Sequence, residues 1–329
     1  MNIHHHISSE LLNLPAQRIH ELLPGPTLFS LPGIQQRPLF VTVLQHGNEF
    51  SGWEAMRYLL RDFIDRNLPR RLYLLISNVA AAQHSMRHLN QQPDYNRIWP
   101  GAGCDNETAR LFHEITEFMR TQQPVACIDI HNNTGYNPLY SVINDNSAAT
   151  LRLASDFAPM AVYTHYPKGT QSGAFSQFCP SVSLECGQAG DLEGIAQARH
   201  LVETYLQAEL PAPAEMKPLT LYRMRARIQV PNHIEVKPLP DAGELSLAAD
   251  LDRHNFQVLP TATVLGRSQL PLADCLRAED GDGRIVTEEF FELEDGTLRT
   301  KQPIIPGMFT ADPSAIRRDC LGYIMEPIN

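Results

Sequence analysis

The strongest constraint on this chain is a series of short apolar runs separated by helical patterns. Residues 38–45 (PLFVTVLQ), 71–77 (RLYLLIS), 124–130 (PVACIDI), 139–144 (LYSVIN) and 180–185 (PSVSLE) each have the length of a strand and little alternation. That pattern suits strands buried on both faces. Between them Met56, Leu59, Leu60 and Phe63 recur at helical spacing, and so do Leu111, Ile115, Phe118 and Met119 within 107–122. Helical patterns return near 146–157 and 191–208. The alternation predicts an α/β fold, a mixed and mostly parallel sheet with helices on both faces.

The texture changes near residue 210. The stretch LPAPAEMKP (210–218) reads as a linker, and beyond it LYRMRARIQV alternates while turn signals accumulate. We therefore expect a domain over 1–210 and a smaller β-rich domain over 218–329. The DGDGR segment at 280–284 lacks the spaced acidic ligands of a calcium loop and reads as a hairpin turn.

Composition narrows the function. Of 329 residues, 43% are hydrophobic and 19% charged, which fits a globular protein and excludes disorder. A net charge of −10 without a basic run argues against nucleic acid or an anionic membrane as partner. No stretch of about 18 apolar residues would span a bilayer. Six cysteines without a CxxC pair read as small buried hydrophobes in a reducing compartment. Without a signal-like apolar segment at the N-terminus, we expect a cytoplasmic protein with homo-oligomerisation left open. His4, His5 and His6 read as a flexible exposed segment and not as a metal tract, because unpacked terminal residues cannot hold a geometry.

In such sheets ligands bind at the carboxyl ends of the strands. His46 follows 38–45, His131 follows 124–130, and Glu185 ends 180–185. The segment His46-Gly47-Asn48-Glu49 sets imidazole and carboxylate three residues apart, where a strand turns into a helix. Alone, such a pair is also a polar strand cap and a surface helix residue. With His131 as a third donor it makes the three-ligand set of a catalytic zinc, one ion per chain, with a position left for water. A His₂Glu set accepts other divalent ions as well. Glu185, costly to bury without a task, is the candidate general base and acid.

Asn96 and Arg97 form a candidate clamp for a substrate carboxylate, since Arg binds it with a planar fork. Arg97 could equally pair structurally with Asp94. Arg87 is a candidate to polarise the substrate carbonyl, or a surface residue. Asp129 could orient a ligand imidazole. Asn132 and Asn133 could hold hydrogen bonds behind the metal ligands, but read first as turn residues.

HGNE (46–49), PDYNRIWPG (93–101), DIHNNTG (129–135) and SLECG (183–187) resemble, in order and spacing, the motifs of the succinylglutamate desuccinylase/aspartoacylase family, a branch of the zinc carboxypeptidase-like fold. The resemblance covers roughly residues 38–210, and the C-terminal β-rich part is similar in size and place. It implies a zinc-dependent hydrolase acting on an amide beside a free carboxylate. His46, Glu49 and His131 would be ligands, Asn96 and Arg97 the carboxylate clamp, and Glu185 the base and acid. Arg87 matches the family's carbonyl-polarising Arg only with two extra residues before Asp94. The Arg or Tyr that grips the acyl end shortly before the Glu has no Arg counterpart here, where the window offers Tyr163, His165, Tyr166 and Lys168.

The leading expectation is a zinc-dependent amidohydrolase that removes an acyl group from an N-acyl amino acid or related small carboxylate. A metallocarboxypeptidase on short peptides and a non-catalytic binding protein on the same fold are the competing readings.

Overall fold

A computed structural model describes residues 3–64, 66–207 and 216–328. The chain forms two compact units, one of 1–132 and 139–219, the other of 133–138 and 220–329. Residues 210–215 of the expected linker lie outside the described residues. The short piece 133–138 belongs with the second unit. There Tyr136 N–H donates to Asp252 Oδ2 (2.9 Å), Asn255 Nδ2 to the Tyr136 carbonyl (2.9 Å) and Met308 N–H to Asn137 Oδ1 (3.0 Å).

The first unit runs β1 (Ile3–His4), α1 (Ser9–Asn13), β2 (Thr27–Leu31), β3 (Gly33–Val43), α2 (Ser51–Arg61), β4 (Leu68–Ile76), α3 (Val79–Gln83), α4 (Glu107–Gln122), β5 (Cys127–Asn133), β6 (Tyr140–Ile143), α5 (Ala148–Phe157), β7 (Met160–Tyr163), α6 (Gln171–Phe175), β8 (Ser181–Gln188) and α7 (Leu192–Gln207). The strand order is β1-β2-β4-β3-β5-β8-β6-β7. β3 pairs in parallel with both β4 and β5, whereas β2 is antiparallel to β4 and β6 to β8. The sheet is thus mixed and mostly parallel at its centre, as the apolar runs predict.

Alternation along the central strands sends side chains to two helical layers. Phe40, Tyr73, Leu75 and Cys127 share one cluster with Phe112, Ile115 and Met119 of α4 and Phe175 of α6. The stripe of α4 is therefore centred on Phe112, one residue from the expected Leu111. On the other face the start of α2 presses on the sheet. A Cβ on Gly52 would lie 2.9 Å from Ile130 Cβ and 3.1 Å from Val43 Cγ1. α7 packs against α2, β4 and β8.

The N-terminal segment departs from expectation. His4, His5 and His6 are exposed, but Ile3–His4 pairs with β2, and α1 buries Leu11 and Leu12 behind an N-cap from Ser8. Two buried leucines and a cap suffice to anchor what the histidines made look loose. Cys104 is exposed, unlike the other five cysteines, and all six are free thiols.

The second unit holds β9 (Thr220–Gln229), β10 (Val236–Pro238), β11 (Leu245–Leu247), β12 (Val264–Ser268), α8 (Leu272–Cys275), β13 (Arg277–Glu279), α9 (Thr287–Phe290), β14 (Phe291–Glu294), β15 (Thr297–Thr300), β16 (Ile305–Gly307), α10 (Pro313–Arg318) and β17 (Gly322–Ile328). β9 lies between β13 and β17, with β16 beyond β17, and a separate sheet has the order β10-β11-β12-β15-β14. Ile228, Leu245, Phe291, Leu298 and Phe309 are among its core residues. At 280–284 the chain turns back so that Glu279 bridges Ile285 antiparallel. No helix among the described residues is long and apolar enough to cross a membrane.

Candidate metal centre and active site

The site is built where β3, β5 and β8 end, all in the first unit. At the end of β3, Leu44 takes a left-handed backbone (φ 58°) although it is fully buried and has a branched side chain. That conformation is uncommon for such a residue and marks a constrained turn. Gln45, His46 and Glu49 follow it. Gly47 explains why the motif needs its glycine: a Cβ there would stand 2.1 Å from the carbonyl carbon of Ala81 in α3. Its N–H donates to the Arg87 carbonyl (3.2 Å), tying the loop of His46 and Glu49 to the segment carrying Arg87. Gly47→Ala is expected to destabilise the metal-free chain by about 2–3 kcal/mol through this collision with backbone. A thermal melt superimposable on the unmutated one would contradict it.

Glu49 lies between the two histidines. Its Oε1 is 2.7 Å from His46 Nδ1 and its Oε2 is 2.7 Å from His131 Nδ1. One donor atom from each of His46, Glu49 and His131 lies within 4.8 Å of the others, and all three residues are buried. Burial works against charge on Glu49, but His46 and His131 override it and hold the carboxyl well below the usual range. Burial likewise opposes charge on His131, yet Asp129 and Glu49 raise it well above an ordinary imidazole. Two imidazoles drawn to one buried carboxylate is the arrangement a divalent cation would replace, since the donor atoms already converge.

Each histidine has a carboxylate behind it. His131 Nε2 is 2.6 Å from Asp129 Oδ2, and His46 Nε2 is 3.1 Å from Asp94 Oδ1. Asp129 and His131 share a face of β5 because they are two residues apart on a strand. Asp94 reaches from the N-cap of a 3-10 turn at Tyr95–Arg97, where it also accepts from Asn96 N–H (2.9 Å). Its other oxygen takes Arg87 Nε (3.0 Å) and Nη2 (2.9 Å). Burial would raise the Asp94 carboxyl, but Arg87 and His46 hold it well below the usual range. Such partners fix the orientation of both imidazole rings.

The structure brings Arg87 to the site: its Nη1 is 3.6 Å from Glu49 Oε1. Arg97 Nη1 donates to the Asn96 carbonyl (2.8 Å), and Asn96 Nδ2 lies 3.3 Å from His131 Nε2. Glu185 sits on β8, beside β5, and is 7% exposed with no hydrogen-bond partner at Oε2. Burial pushes its carboxyl up to about 7, His131 pulling the other way.

Several residues of the site were not singled out from the sequence. Asp94 was considered only as a partner for Arg97, whereas it joins His46 to Arg87. Asn132 is no turn residue: it lies in β5, its Oδ1 accepts from Ser51 N–H (3.1 Å) at the start of α2, and its Nδ2 donates to the Gly187 carbonyl (3.1 Å). Its own N–H donates to Glu49 Oε2 (3.3 Å). Gln45, Trp99 and Gln171 are buried, and Gln45 Nε2 donates to Asp129 Oδ2 (2.6 Å). Only Gln45's adjacency to His46 could have drawn attention to it. His165 is exposed and its Nε2 lies 2.6 Å from the Tyr163 hydroxyl.

Residues 36–208 match the family model described as succinylglutamate desuccinylase/aspartoacylase catalytic domain. That match spans more than half of the chain, which therefore belongs to this family. The fold is similar to that of the succinylglutamate desuccinylase from Chromobacterium violaceum, with 16% identity, TM-score 0.57, and 90% of this chain and 86% of that one covered. It is similar to murine aminoacylase 3, with 15% identity, TM-score 0.57 and coverage of 89% and 96%. It is also similar to the product-bound ectoine utilization protein from Ruegeria pomeroyi, with 14% identity, TM-score 0.57 and coverage of 92% and 88%. Comparison with curated proteins by sequence gives no match.

Proposed function

We propose that the chain is a zinc-dependent amidohydrolase that removes an acyl group from an N-acyl amino acid or a related small carboxylate. The observation that carries this is Glu185, a buried carboxylate with one oxygen unpartnered, in a sheet whose neighbouring strand ends gather His46, Glu49 and His131. The donor chemistry fits the ion: two imidazoles and a carboxylate are good zinc ligands, and three of them leave a position free. Family membership supports the same reading.

His46, Glu49 and His131 would hold zinc, which would supply Lewis acidity to a water and to the amide carbonyl. Glu185 takes a proton from the attacking water as its oxygen bonds to the amide carbon, and delivers that proton to the amine as the C–N bond breaks. A carboxyl raised toward neutrality by burial suits both steps. Arg87, held by Asp94, donates to the carbonyl oxygen as negative charge develops there. Arg97 and Asn96 hold the substrate's carboxylate and set the amide's position against Glu185. No Arg occurs between residues 158 and 184, so a second carboxylate on the acyl group would find no arginine fork in that window. We therefore favour an uncharged acyl group.

The test is a substrate screen on purified protein whose zinc content is measured in parallel. About one zinc per chain is expected, with N-acetyl or N-formyl amino acids cleaved faster than N-succinyl or N-aspartyl ones. Cleavage of dipeptides alone would favour a carboxypeptidase. Zinc uptake with no cleavage of any of them would favour a binding protein.

A further inference from the structure

Asp129, the carboxylate behind ligand His131, is itself held by a buried chain of amides that ends on a tryptophan. Trp99 Nε1 lies 2.6 Å from Gln45 Oε1, and Gln45 Nε2 lies 2.6 Å from Asp129 Oδ2. Gln45, Trp99 and Asp129 are each at most 1% exposed. The indole N–H can only donate. It therefore fixes the orientation of the Gln45 amide, oxygen toward Trp99 and nitrogen toward Asp129. Asp129 Oδ2 must then accept from Gln45. His131 Nε2, 2.6 Å from the same oxygen, must be its second donor. With Nε2 held as a donor to Asp129, the proton that Nδ1 shares with Glu49 Oε2 (2.7 Å) is the one a cation would displace, which makes Nδ1 the ligating atom.

Gln171 reinforces this order, while Asn96 presents a competing donor to Nε2. In the orientation that satisfies both its ends, the Gln171 amide donates to Asp129 (3.1 and 3.2 Å) and accepts from Thr42 Oγ1 (2.9 Å). Asn96 Oδ1 accepts from Gln171 N–H (3.0 Å), which turns the Asn96 amide nitrogen toward His131 Nε2 at 3.3 Å. That contact is longer than the carboxylate contact by enough that Asp129 keeps the proton's direction.

We propose that Gln45 is a positioning residue that, oriented by Trp99 and acting through Asp129, sets the His131 tautomer for metal binding. The inference rests on the zinc reading above. It assigns to the Trp99–Gln45 pair a task that neither residue type announces, because the usual reading of both is a satisfied buried polar group.

The test is zinc affinity by competition with a chromophoric chelator, with the thermal midpoint of the metal-free chain as folding control. Gln45→Met keeps the length of the side chain and removes both hydrogen bonds. It should weaken zinc binding by roughly 10- to 100-fold, the range seen when partners behind metal ligands are lost. Trp99→Phe removes only the orienting donor and should cost roughly 3- to 10-fold. In an Asp129→Ala background, Gln45→Met should add less than about threefold, since its route is gone. If Gln45→Met does not fold, Trp99→Phe alone decides. Affinity within about twofold of the unmutated chain for the variant that folds overturns the proposal. An equal loss from Gln45→Met in both backgrounds also overturns it, because the effect would not pass through Asp129. If the unmutated chain takes up no zinc, the zinc reading itself fails first. Normal zinc uptake with an indifferent Gln45→Met sinks the positioning role alone.

Discussion

Glu185→Gln should abolish turnover by about 10³-fold or more while leaving about one zinc per chain. The amide keeps the shape of the carboxylate and cannot take a proton from water. The hydrogen bonds of His46, Glu49 and His131 run to one another and to Asp94 and Asp129, so the substitution leaves those contacts in place. A base must be unprotonated, so activity is present above the pKa of Glu185 and is lost as pH falls through it. Burial pushes that group up to about 7 in the metal-free chain, and a cation at His46, Glu49 and His131 would pull it down. The acid limb of kcat/KM should therefore lie below neutrality with a slope of one, and the residual activity of the variant should lack it. Near-normal turnover in Glu185→Gln, with zinc present, would remove Glu185 as the base.

The reasons this site could be read in advance, and the reasons part of it could not, are both local. His46 and His131 each follow, and Glu185 ends, a short apolar run that reads as a buried strand, so their position in the sheet was visible from pattern. α4 was placed at 107–122, the observed bounds, on the stripe of Leu111, Ile115, Phe118 and Met119; in the structure Asn106 caps it, and Phe112, Ile115 and Met119 lie on its buried face. β2 was missed: its five residues are all buried, but they are too short a run to stand out after Pro24, Gly25 and Pro26. β3 begins at Gly33 and not at residue 38, because Gln35 pairs beside Arg70 at the sheet's polar end, where hydrophobicity carries no signal. Asp94 and Gln45 show the deeper limit. Each acts through contacts 48 and 84 residues away in the chain, on His46 and Asp129, and their own neighbours in sequence say nothing of it. Residue type and strand position mark what binds a metal; what orients the binder depends on which loops the fold folds back, and α3 lying against Gly47 is such a case.

Glu49→Gln should be nearly as severe, through binding and not through chemistry. Glu49 is the charged member of the ligand group, and it is the acceptor shared by His46, His131 and the Asn132 N–H. If a zinc site is worth roughly 10–16 kcal/mol, losing the anionic ligand of three costs on the order of 4 kcal/mol, or about 10³-fold in affinity. The same geometry makes binding depend on pH in a definite direction. Asp129 and Glu49 raise His131 well above an ordinary imidazole, despite its burial, so the metal-free chain carries a proton there at neutral pH. A ligand imidazole must lose the proton on its donor nitrogen. Zinc uptake should therefore release protons, and affinity should fall as pH falls, by about tenfold per unit for each proton displaced. Calorimetry in buffers of different ionisation enthalpy reads the protons released, and chelator competition at several pH values reads the slope. A Glu49→Gln chain that retains one zinc against a micromolar chelator would show that the ion is held elsewhere. Affinity independent of pH between 6 and 8 would show that Asp129 and Glu49 do not keep His131 charged, and that the two carboxylates serve the fold of the metal-free chain more than its readiness for the ion.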